Sequence, residues 1–303
     1  MSLPTSSDAA AAPLPPELLA RIRRIEIRAR RLVSSVFLGE YHSVFRGRGI
    51  EFSEVRPYAP GDDVRAIDWN VTARMGTPYV KKYIEERELT VLIAVDVSAS
   101  SAFTTAGMTK RELAAEVAAT LAFAAIANND RVGLVAFSDG VELFVPPEKG
   151  RTHVLRIVRE LLFLQPRGRG TSIAAAMAYI GRIARRRAIV FVLSDFFDEG
   201  YERQLRAAAS RHEVIALTLN DAREESLPDV GLLELEDAES AARVVLDTSD
   251  AAVRAAYEAR ATERRTRRRR ALAAAGVDEV ALYTDRSYVP PLLQAFQSRQ
   301  RVR

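Results

Sequence analysis

From residue 90 onward, short apolar runs alternate with longer segments whose apolar residues recur at helical spacing. The short runs are rich in valine and isoleucine, which is typical of strands buried on both faces of a parallel sheet. Strands that alternate with helices predict βαβ units with right-handed crossovers. The pattern therefore predicts an α/β domain with a doubly wound, mostly parallel sheet over residues 89–299. Its predicted strands are 91–95, 131–137, 141–145, 188–193, 214–219 and 277–283, and its main predicted helices are 110–128, 152–164, 202–210, 251–275 and 289–297.

Two strand pairs leave no room for a crossover helix. The strand at 141–145 follows a Ser-Asp-Gly turn directly, which predicts an antiparallel hairpin at one edge of the sheet. The runs LLELE and RVVLD between residues 231 and 247 alternate in polarity and predict a second antiparallel hairpin at the sheet margin. The expected architecture is therefore a mostly parallel sheet with antiparallel edge hairpins.

The chain before residue 89 divides into three parts by composition. Residues 1–16 are rich in alanine, proline and serine and predict a disordered tail. Residues 17–34 place an apolar stripe among arginines and predict a basic amphipathic helix. We expect this stripe to dock on the protein's own body, the alternative being peripheral contact with an acidic membrane or partner. Residues 35–88 predict a small β-rich subdomain, which Trp69 and Tyr58 are expected to anchor against the sheet.

The composition of the chain excludes several kinds of functional site. The 303 residues include no cysteine, which excludes disulfides, thiolate metal sites and a cysteine nucleophile. Of three histidines, His153 begins a predicted helix, where we expect a surface or capping role. No apolar stretch approaches the roughly 18 residues of a membrane span, and the first residues lack the pattern of a signal peptide, so we expect a cytoplasmic protein. A net charge of +4 is not typical of a dedicated nucleic-acid binder.

The apolar run at 91–95 ends in a group of oxygen-bearing side chains, Asp96, Ser98 and Ser100. In extended chain, residues two apart point the same way. These three are therefore expected to meet above the carboxyl end of the strand, where open α/β sheets bind ligands. An all-oxygen cluster suits a hard cation, Mg²⁺ or alternatively Mn²⁺ or Ca²⁺. From these residues alone, the alternative that they close a turn or cap a helix stays open.

Two later residues complete a pattern. Thr171 lies in a Gly-Thr loop that enters a helical run, and Asp195 ends another apolar strand. The order D-x-S-x-S, Gly-Thr loop and strand-terminal Asp resembles the metal-ion-dependent adhesion site of von Willebrand factor A domains, whose fold is Rossmann-like. The resemblance implies that Ser98, Ser100 and Thr171 ligate the metal directly, while Asp96 and Asp195 hold it through water. It also implies one open position for an Asp or Glu carboxylate from a partner protein.

A second resemblance covers the segment before the sheet. Residues 51–69 read E-F-x-E-x-R-x-Y-x-x-G-D-D-x-R-x-I-D-W, which resembles the signature of the domain of unknown function 58 family. The match continues to Glu86-Arg87 and, with the following domain, covers about 39–299. That family implies an adaptor or co-chaperone for a MoxR-type AAA+ ATPase. We expect the charged residues of the signature to form a salt-bridged brace beneath the sheet.

Two other functions compete with a metal-dependent, non-catalytic binding module. The first is a Mg²⁺-dependent phosphatase with Asp96 as nucleophile. Phosphatases of the haloacid-dehalogenase type carry a second Asp two residues on, and Ser98 in that place disfavours this interpretation. The second is a basic surface, at the helix of residues 17–34 and the arginine-rich run 264–270, that binds nucleic acid or an anionic membrane. No aromatic residues are interleaved there to stack bases, and a solvated helix end explains the run equally well.

The sequence also limits what the protein does with nucleotides. It contains no G-x-x-x-x-G-K-[ST] loop, so we do not expect it to hydrolyse ATP itself. Nothing in the signature segment before the sheet resembles a catalytic acid/base pair. We therefore expect no enzymatic activity.

Overall fold

The computed structural model describes residues 16–44, 51–84, 88–105, 107–239 and 241–302. The predicted tail up to residue 15, Gly47, Gly49 and the Glu86-Arg87 end of the signature lie outside these ranges. The strands are β1 (Glu51–Pro57), β2 (Tyr79–Ile84), β3 (Thr90–Asp96), β4 (Arg131–Phe137), β5 (Val141–Glu148), β6 (Ile189–Ser194), β7 (Glu213–Asn220), β8 (Leu232–Glu236), β9 (Arg243–Asp247) and β10 (Asp278–Tyr283). The helices are α1 (Pro16–Leu32), α2 (Leu38–Val44), α3 (Trp69–Met75), α4 (Lys110–Ala127), α5 (Arg151–Phe163), α6 (Ile173–Ile183), α7 (Glu202–Arg211), α8 (Ala222–Glu225), α9 (Ala251–Ala274) and α10 (Val289–Val302).

A mixed α/β architecture surrounds a six-stranded sheet with the order β10-β7-β6-β3-β4-β5. All neighbouring pairs are parallel except β4 and β5, which form an antiparallel hairpin at one edge. β3 lies in the interior of the sheet, and every residue from Val91 to Asp96 is buried. The mostly parallel sheet and the edge hairpin at β5 are confirmed. Because β3 and β6 are adjacent and parallel, their carboxyl ends lie side by side.

Helices cover both faces of the sheet. One buried cluster joins α1, α4, α5 and α10 to one face, and a second joins α6, α7 and α9 to the other. Successive residues of β3 alternate between the clusters, with Val91 and Ile93 in the first and Leu92 and Ala94 in the second. α4 is buried along almost its whole length because α1 and α5 cover it on the outside.

α1 docks on the body of the protein, as expected. Ile22, Ile25 and Ala29 are buried in the cluster that contains α4. Arg28 pairs with Glu116 of α4 at 2.9 Å. A five-residue π-helical segment, Val33–Phe37, joins α1 to α2, so the helical segment continues beyond the boundary predicted at residue 34.

Residues 51–84 form the expected β-rich unit, an antiparallel β1–β2 hairpin with α3 in its connection. Arg56 makes a two-point contact with Asp62, at 2.8 and 2.7 Å. The expectation that Trp69 anchors this unit is wrong, because Trp69 opens α3 behind the Asp68 cap and is 67% exposed. Between residues 55 and 80 only Val80 is buried. The Arg56–Asp62 salt bridge joins two residues of this unit, and the brace beneath the sheet stays a prediction.

Two further expectations need correction. β8 and β9 pair with each other as a separate two-stranded sheet, and they do not extend the margin of the central sheet. His153 is buried. Its Nε2 atom forms a hydrogen bond with the Val132 carbonyl at 2.8 Å, and this bond joins α5 to β4. Over the described residues, no helix has the length and apolar character needed to cross a bilayer.

Candidate metal centre

Asp96 is the last residue of β3 and is only 3% exposed. Its Oδ2 accepts a hydrogen bond from Ser194 Oγ at 2.6 Å, and its Oδ1 accepts one from the Ser98 amide at 3.0 Å. The second bond is a turn closed by an aspartate, so the turn-forming role left open by the sequence is also present. Burial and the nearby charge of Asp195 raise the pKa of Asp96 to about 7. A buried carboxylate beside another carboxylate is costly unless a cation compensates it.

The two serines meet by a different route from the predicted one. The chain does not stay extended after Asp96, since a 3₁₀ helix runs from Ala99 to Ala102 behind Ser98. This turn brings Ser98 Oγ and Ser100 Oγ to 3.0 Å from each other. The Ser98 and Ser100 hydroxyls therefore meet as predicted, but the 3₁₀ turn and not strand alternation brings them together.

The loop before α6 holds Thr171 in place. Glu142 Oε1 accepts hydrogen bonds from the amides of Arg167 and Gly168, at 3.0 and 2.9 Å. A methyl group at Gly170 would lie 2.5 Å from Asp139 Oδ1, so a larger residue there would require the exposed Asp139 side chain to move. Thr171 Oγ1 lies 3.5 Å from Asp96 Oδ2.

Asp195 directly follows β6 and is neutralised from within the protein. Its Oδ2 accepts a hydrogen bond from Lys110 Nζ at 2.9 Å, and Lys110 also pairs with Glu224. Lys110 is only 1% exposed. Burial lowers the pKa of Lys110, but the charges of Asp195 and Glu224 outweigh this effect and the net pKa is raised. Asp195 thus differs from Asp96, which no described lysine or arginine contacts.

The backbone around Asp195 is also tightly held. Phe196 has a positive φ of 58°, which is unusual for a bulky residue. The turn that this conformation makes lets the Phe197 amide donate to Asp195 Oδ1 at 3.2 Å. Arg268 of α9 donates to the Asp195 carbonyl at 3.0 Å and to Asn220 Oδ1 at 3.1 Å. The carboxylate of Asp195 is therefore held by Lys110 and the Phe197 amide, and its backbone carbonyl is held by Arg268.

The turn between β8 and β9 contributes a carboxylate that the sequence analysis did not assign. Thr171 Oγ1 donates to Glu239 Oε1 at 2.8 Å. Burial raises the pKa of Glu239, and the charges of Asp195, Asp237 and Asp139 raise it further, whereas the Thr171 hydroxyl lowers it. The hairpin that was expected at the sheet margin instead brings an acidic side chain to the site.

The donor set fits a hard divalent cation. Mg²⁺ holds its ligands at about 2.1 Å in octahedral geometry, so neighbouring ligand oxygens lie about 3 Å apart. The pair Ser98–Ser100 at 3.0 Å and the pair Thr171–Glu239 at 2.8 Å have this separation. In the described ranges no three Asp, Glu, His or Cys side chains form a metal-binding group by themselves. The resemblance implies that hydroxyl oxygens supply the direct contacts.

Sequence reasoning missed three residues of this site. Lys110 left a usable signal, because a lysine in the first turn of a helix opposes the helix dipole and needs another reason to be there. Ser194 directly precedes Asp195, and its hydroxyl reaches across to the neighbouring strand. Glu239 left no signal, since it lies in a turn whose placement depends on the whole fold.

The arginine-rich run of α9 is largely paired within the protein. Arg268 is 6% exposed and bonds Glu279 at 3.0 Å. Arg267 pairs with Glu199 at 2.7 Å. Arg264 lies over the ring of Phe197, 5.5 Å from its centroid. These contacts give the run a structural role that neither alternative from the sequence, a solvated helix end or a surface for nucleic acid or an anionic membrane, included.

Comparison with known proteins gives relatives in sequence and matches among solved structures. An uncharacterized protein of Mycobacterium tuberculosis is 36% identical over 290 residues, covering 94% of this chain and 91% of the relative. An uncharacterized protein of Mycobacterium avium is 31% identical over 160 residues, covering 52% of this chain and 94% of the relative. Conserved hypothetical protein BatB from Bacteroides thetaiotaomicron is 18% identical, with a TM-score of 0.46 over 70% of this chain and 99% of that one.

A further solved structure, an aerotolerance-related membrane protein from Bacteroides fragilis, is 16% identical with a TM-score of 0.43, over 71% of this chain and all of that chain. The family model described as "protein of unknown function DUF58" matches residues 54–267. This match covers most of the central sheet, the Thr171 loop and the β8–β9 turn. The chain therefore belongs to the DUF58 family.

Proposed function

We propose that this protein is a non-catalytic, divalent-metal-dependent protein-binding module with a von Willebrand factor A-like fold. Ser98, Ser100 and Thr171 ligate the metal directly, and Asp96 and Asp195 hold it through water. Mg²⁺ is the expected ion, with Mn²⁺ or Ca²⁺ as alternatives. Three observations support the proposal: β3 and β6, which lead to Asp96 and Asp195, are adjacent and parallel, Ser98 Oγ lies 3.0 Å from Ser100 Oγ, and Thr171 Oγ1 lies 3.5 Å from Asp96 Oδ2.

The protein's own residues prepare this site for an ion and for a carboxylate. The Ser194 hydroxyl and the Ser98 amide orient the two oxygens of Asp96. Lys110 neutralises part of the charge of Asp195, which reduces the total charge that the ion has to compensate. The ion supplies a positive charge that binds an Asp or Glu carboxylate from a partner protein.

The partner we propose is a MoxR-type AAA+ ATPase or one of its clients, in the cytoplasm. Membership of the DUF58 family supports this choice, since the resemblance noted in the sequence implies an adaptor or co-chaperone of such an ATPase. The absence of a nucleotide-binding loop from the sequence is compatible with this division of labour. The chain would recruit or present clients, and the ATPase would supply the energy.

A binding role is better supported than a phosphatase role. A nucleophilic aspartate needs an oxygen free to attack. Both oxygens of Asp96 accept hydrogen bonds, at 2.6 and 3.0 Å, and the side chain is buried. Ser98 stands where a second, acid/base aspartate would be needed. If the protein nevertheless releases phosphate from an aryl phosphate in a Mg²⁺-dependent way, and Asp96→Asn abolishes this, the phosphatase alternative replaces our proposal.

The test of the binding role is capture of a purified MoxR-type ATPase on immobilised protein, in Mg²⁺ and in EDTA. We expect capture in Mg²⁺ only, and loss of capture in Asp96→Ala. Asp229→Ala is the matched control, because Asp229 is an exposed aspartate paired with Arg254 at the surface. Capture that is equal in Mg²⁺ and in EDTA would contradict the proposal.

A further inference from the structure

The β8–β9 hairpin is attached to the proposed metal centre by its turn. Thr171 Oγ1 donates to Glu239 Oε1 at 2.8 Å, and Arg169 Nη2 donates to the Ala238 carbonyl at 3.0 Å. The other oxygen of Glu239 lies over Gly170, 3.6 Å from the position that a methyl group there would take. Two adjacent residues of the turn thus contact the loop that carries a proposed metal ligand.

Charge does not explain why Glu239 lies there. Besides burial, the charges that raise the pKa of Glu239 most are those of Asp195, Asp237 and Asp139, all of them negative. None of the lysine, arginine or histidine side chains in the described ranges makes an ion pair with it. The buried ammonium of Lys110 is already shared between Asp195 and Glu224. A carboxylate held among other carboxylates, at a ligand hydroxyl, is the arrangement expected where a cation binds.

We propose that Glu239 is a metal ligand supplied by the chain itself, occupying the position that a partner's carboxylate would otherwise take. This inference rests on the metal centre proposed above and adds its regulation. The 2.8 Å separation of Glu239 Oε1 and Thr171 Oγ1 matches two neighbouring ligands of one octahedral ion. A partner that binds through a carboxylate therefore has to displace the hairpin turn.

The fold permits that displacement. β8 and β9 bond to each other and not to the central sheet, so the turn can lift without breaking a strand pair of the core. The hairpin is also exposed, with Leu232 76% and Val245 61% accessible. Opening the centre would therefore cost the contacts of the turn and leave the sheet unchanged.

The test uses Mn²⁺, whose bound water molecules are counted by water-proton relaxation. Three proteins are compared by titration and relaxation: the wild type, Glu239→Ala and Glu239→Gln. We expect both variants to bind Mn²⁺ about 10- to 100-fold more weakly than the wild type, the range seen when support of a metal site is removed. We expect Glu239→Ala to gain one exchangeable metal-bound water. Glu239→Gln keeps an oxygen for the Thr171 hydrogen bond, so it separates loss of a ligand from loss of the tether.

The matched control is Glu236→Ala, on the same hairpin, where Glu236 pairs with Arg243 at 2.8 Å away from the centre. We expect wild-type affinity and water count for this control. If the wild type binds Mn²⁺ through Asp96, and the Glu239 variants keep the same affinity and water count, this inference is wrong and the metal centre stands. If the wild type binds no Mn²⁺, both the centre and this inference are wrong.

Discussion

Lys110 and Asp195 form an ion pair in the interior of the protein, with their charged atoms 2.9 Å apart and both side chains almost inaccessible to solvent. Lys110 comes from the first turn of α4 and Asp195 from the end of β6, so the pair joins a helix on one face of the sheet to the proposed metal centre. Glu224 completes the group on the other side of the ammonium. The pair fixes the position of Asp195 even without an ion.

Replacing Lys110 by methionine should destabilise the protein strongly. The change removes the ammonium and leaves the carboxylates of Asp195 and Glu224 buried without compensation. Breaking one partner of a buried pair costs about 3–5 kcal/mol. Urea unfolding followed by circular dichroism measures this loss. The control is Lys149→Met, because Lys149 pairs with Glu88 at the surface and such pairs contribute about 0–1 kcal/mol. Equal losses in the two variants would contradict the account of the buried pair.

A second buried acid gives a dependence of stability on pH. Asp130 accepts hydrogen bonds from Tyr41 Oη at 3.2 Å and from the Leu89 amide at 2.9 Å. Burial raises the pKa of Asp130 from 3.8 to about 6. The folded protein therefore binds the proton more tightly than the unfolded chain does. The stability from the protonated form is complete below about pH 4 and is lost as the pH rises through about 6.

Asp130→Asn should remove this dependence, because the amide cannot ionise. Its oxygen can still accept from the Leu89 amide, and its NH2 group can donate to Tyr41 Oη. Relative to the variant, the free energy of unfolding of the wild type should fall by up to about 3 kcal/mol between pH 4 and pH 7, since one pKa unit corresponds to about 1.4 kcal/mol. Unfolding free energies measured at several pH values, with Asp229→Asn as the exposed control, test this. A constant difference between wild type and Asp130→Asn across the range would show that Asp130 does not titrate as described.

Thr171 links metal binding to partner binding. Thr171→Ala removes a proposed ligand and should weaken Mg²⁺ binding at least tenfold, by analogy with the loss of supporting groups at other metal sites. Capture of the ATPase should fall with it. Thr171→Ser keeps the hydroxyl and should behave like the wild type in both measurements. Calorimetry measures Mg²⁺ binding and the capture assay measures ATPase binding on the same samples. Loss of one property without the other would contradict the link between them.

The central sheet could be predicted from the sequence because its signal is local. The runs around Val91, Arg131 and Ile189 are buried on both faces, and their uninterrupted apolar composition identifies them without knowledge of their neighbours. The approximate location of Asp96 and Asp195 follows as well, since strand ends in a parallel sheet share an edge. The assignment of these residues to one metal site stays a prediction.

The contacts that complete the site could not be predicted because they join distant parts of the chain. Lys110 is 85 residues from Asp195, and Glu239 is 68 residues from Thr171. Each pairing depends on how a helix or hairpin crosses the sheet, which no local pattern contains. The prediction that Trp69 anchors the N-terminal unit was wrong for a related reason. Its size suggested an anchor, but the Asp68 cap places it at the start of an exposed helix.

The most direct test of the central claim is isothermal titration of Mg²⁺ and Mn²⁺ into metal-stripped wild-type protein and into Asp96→Ala. The account predicts saturable binding by the wild type and none by Asp96→Ala, with unchanged circular dichroism, because no lysine or arginine in the described ranges pairs with Asp96. Asp229→Ala should bind like the wild type. Absence of binding by the wild type, or equal affinity in Asp96→Ala, would contradict the assignment of the metal centre.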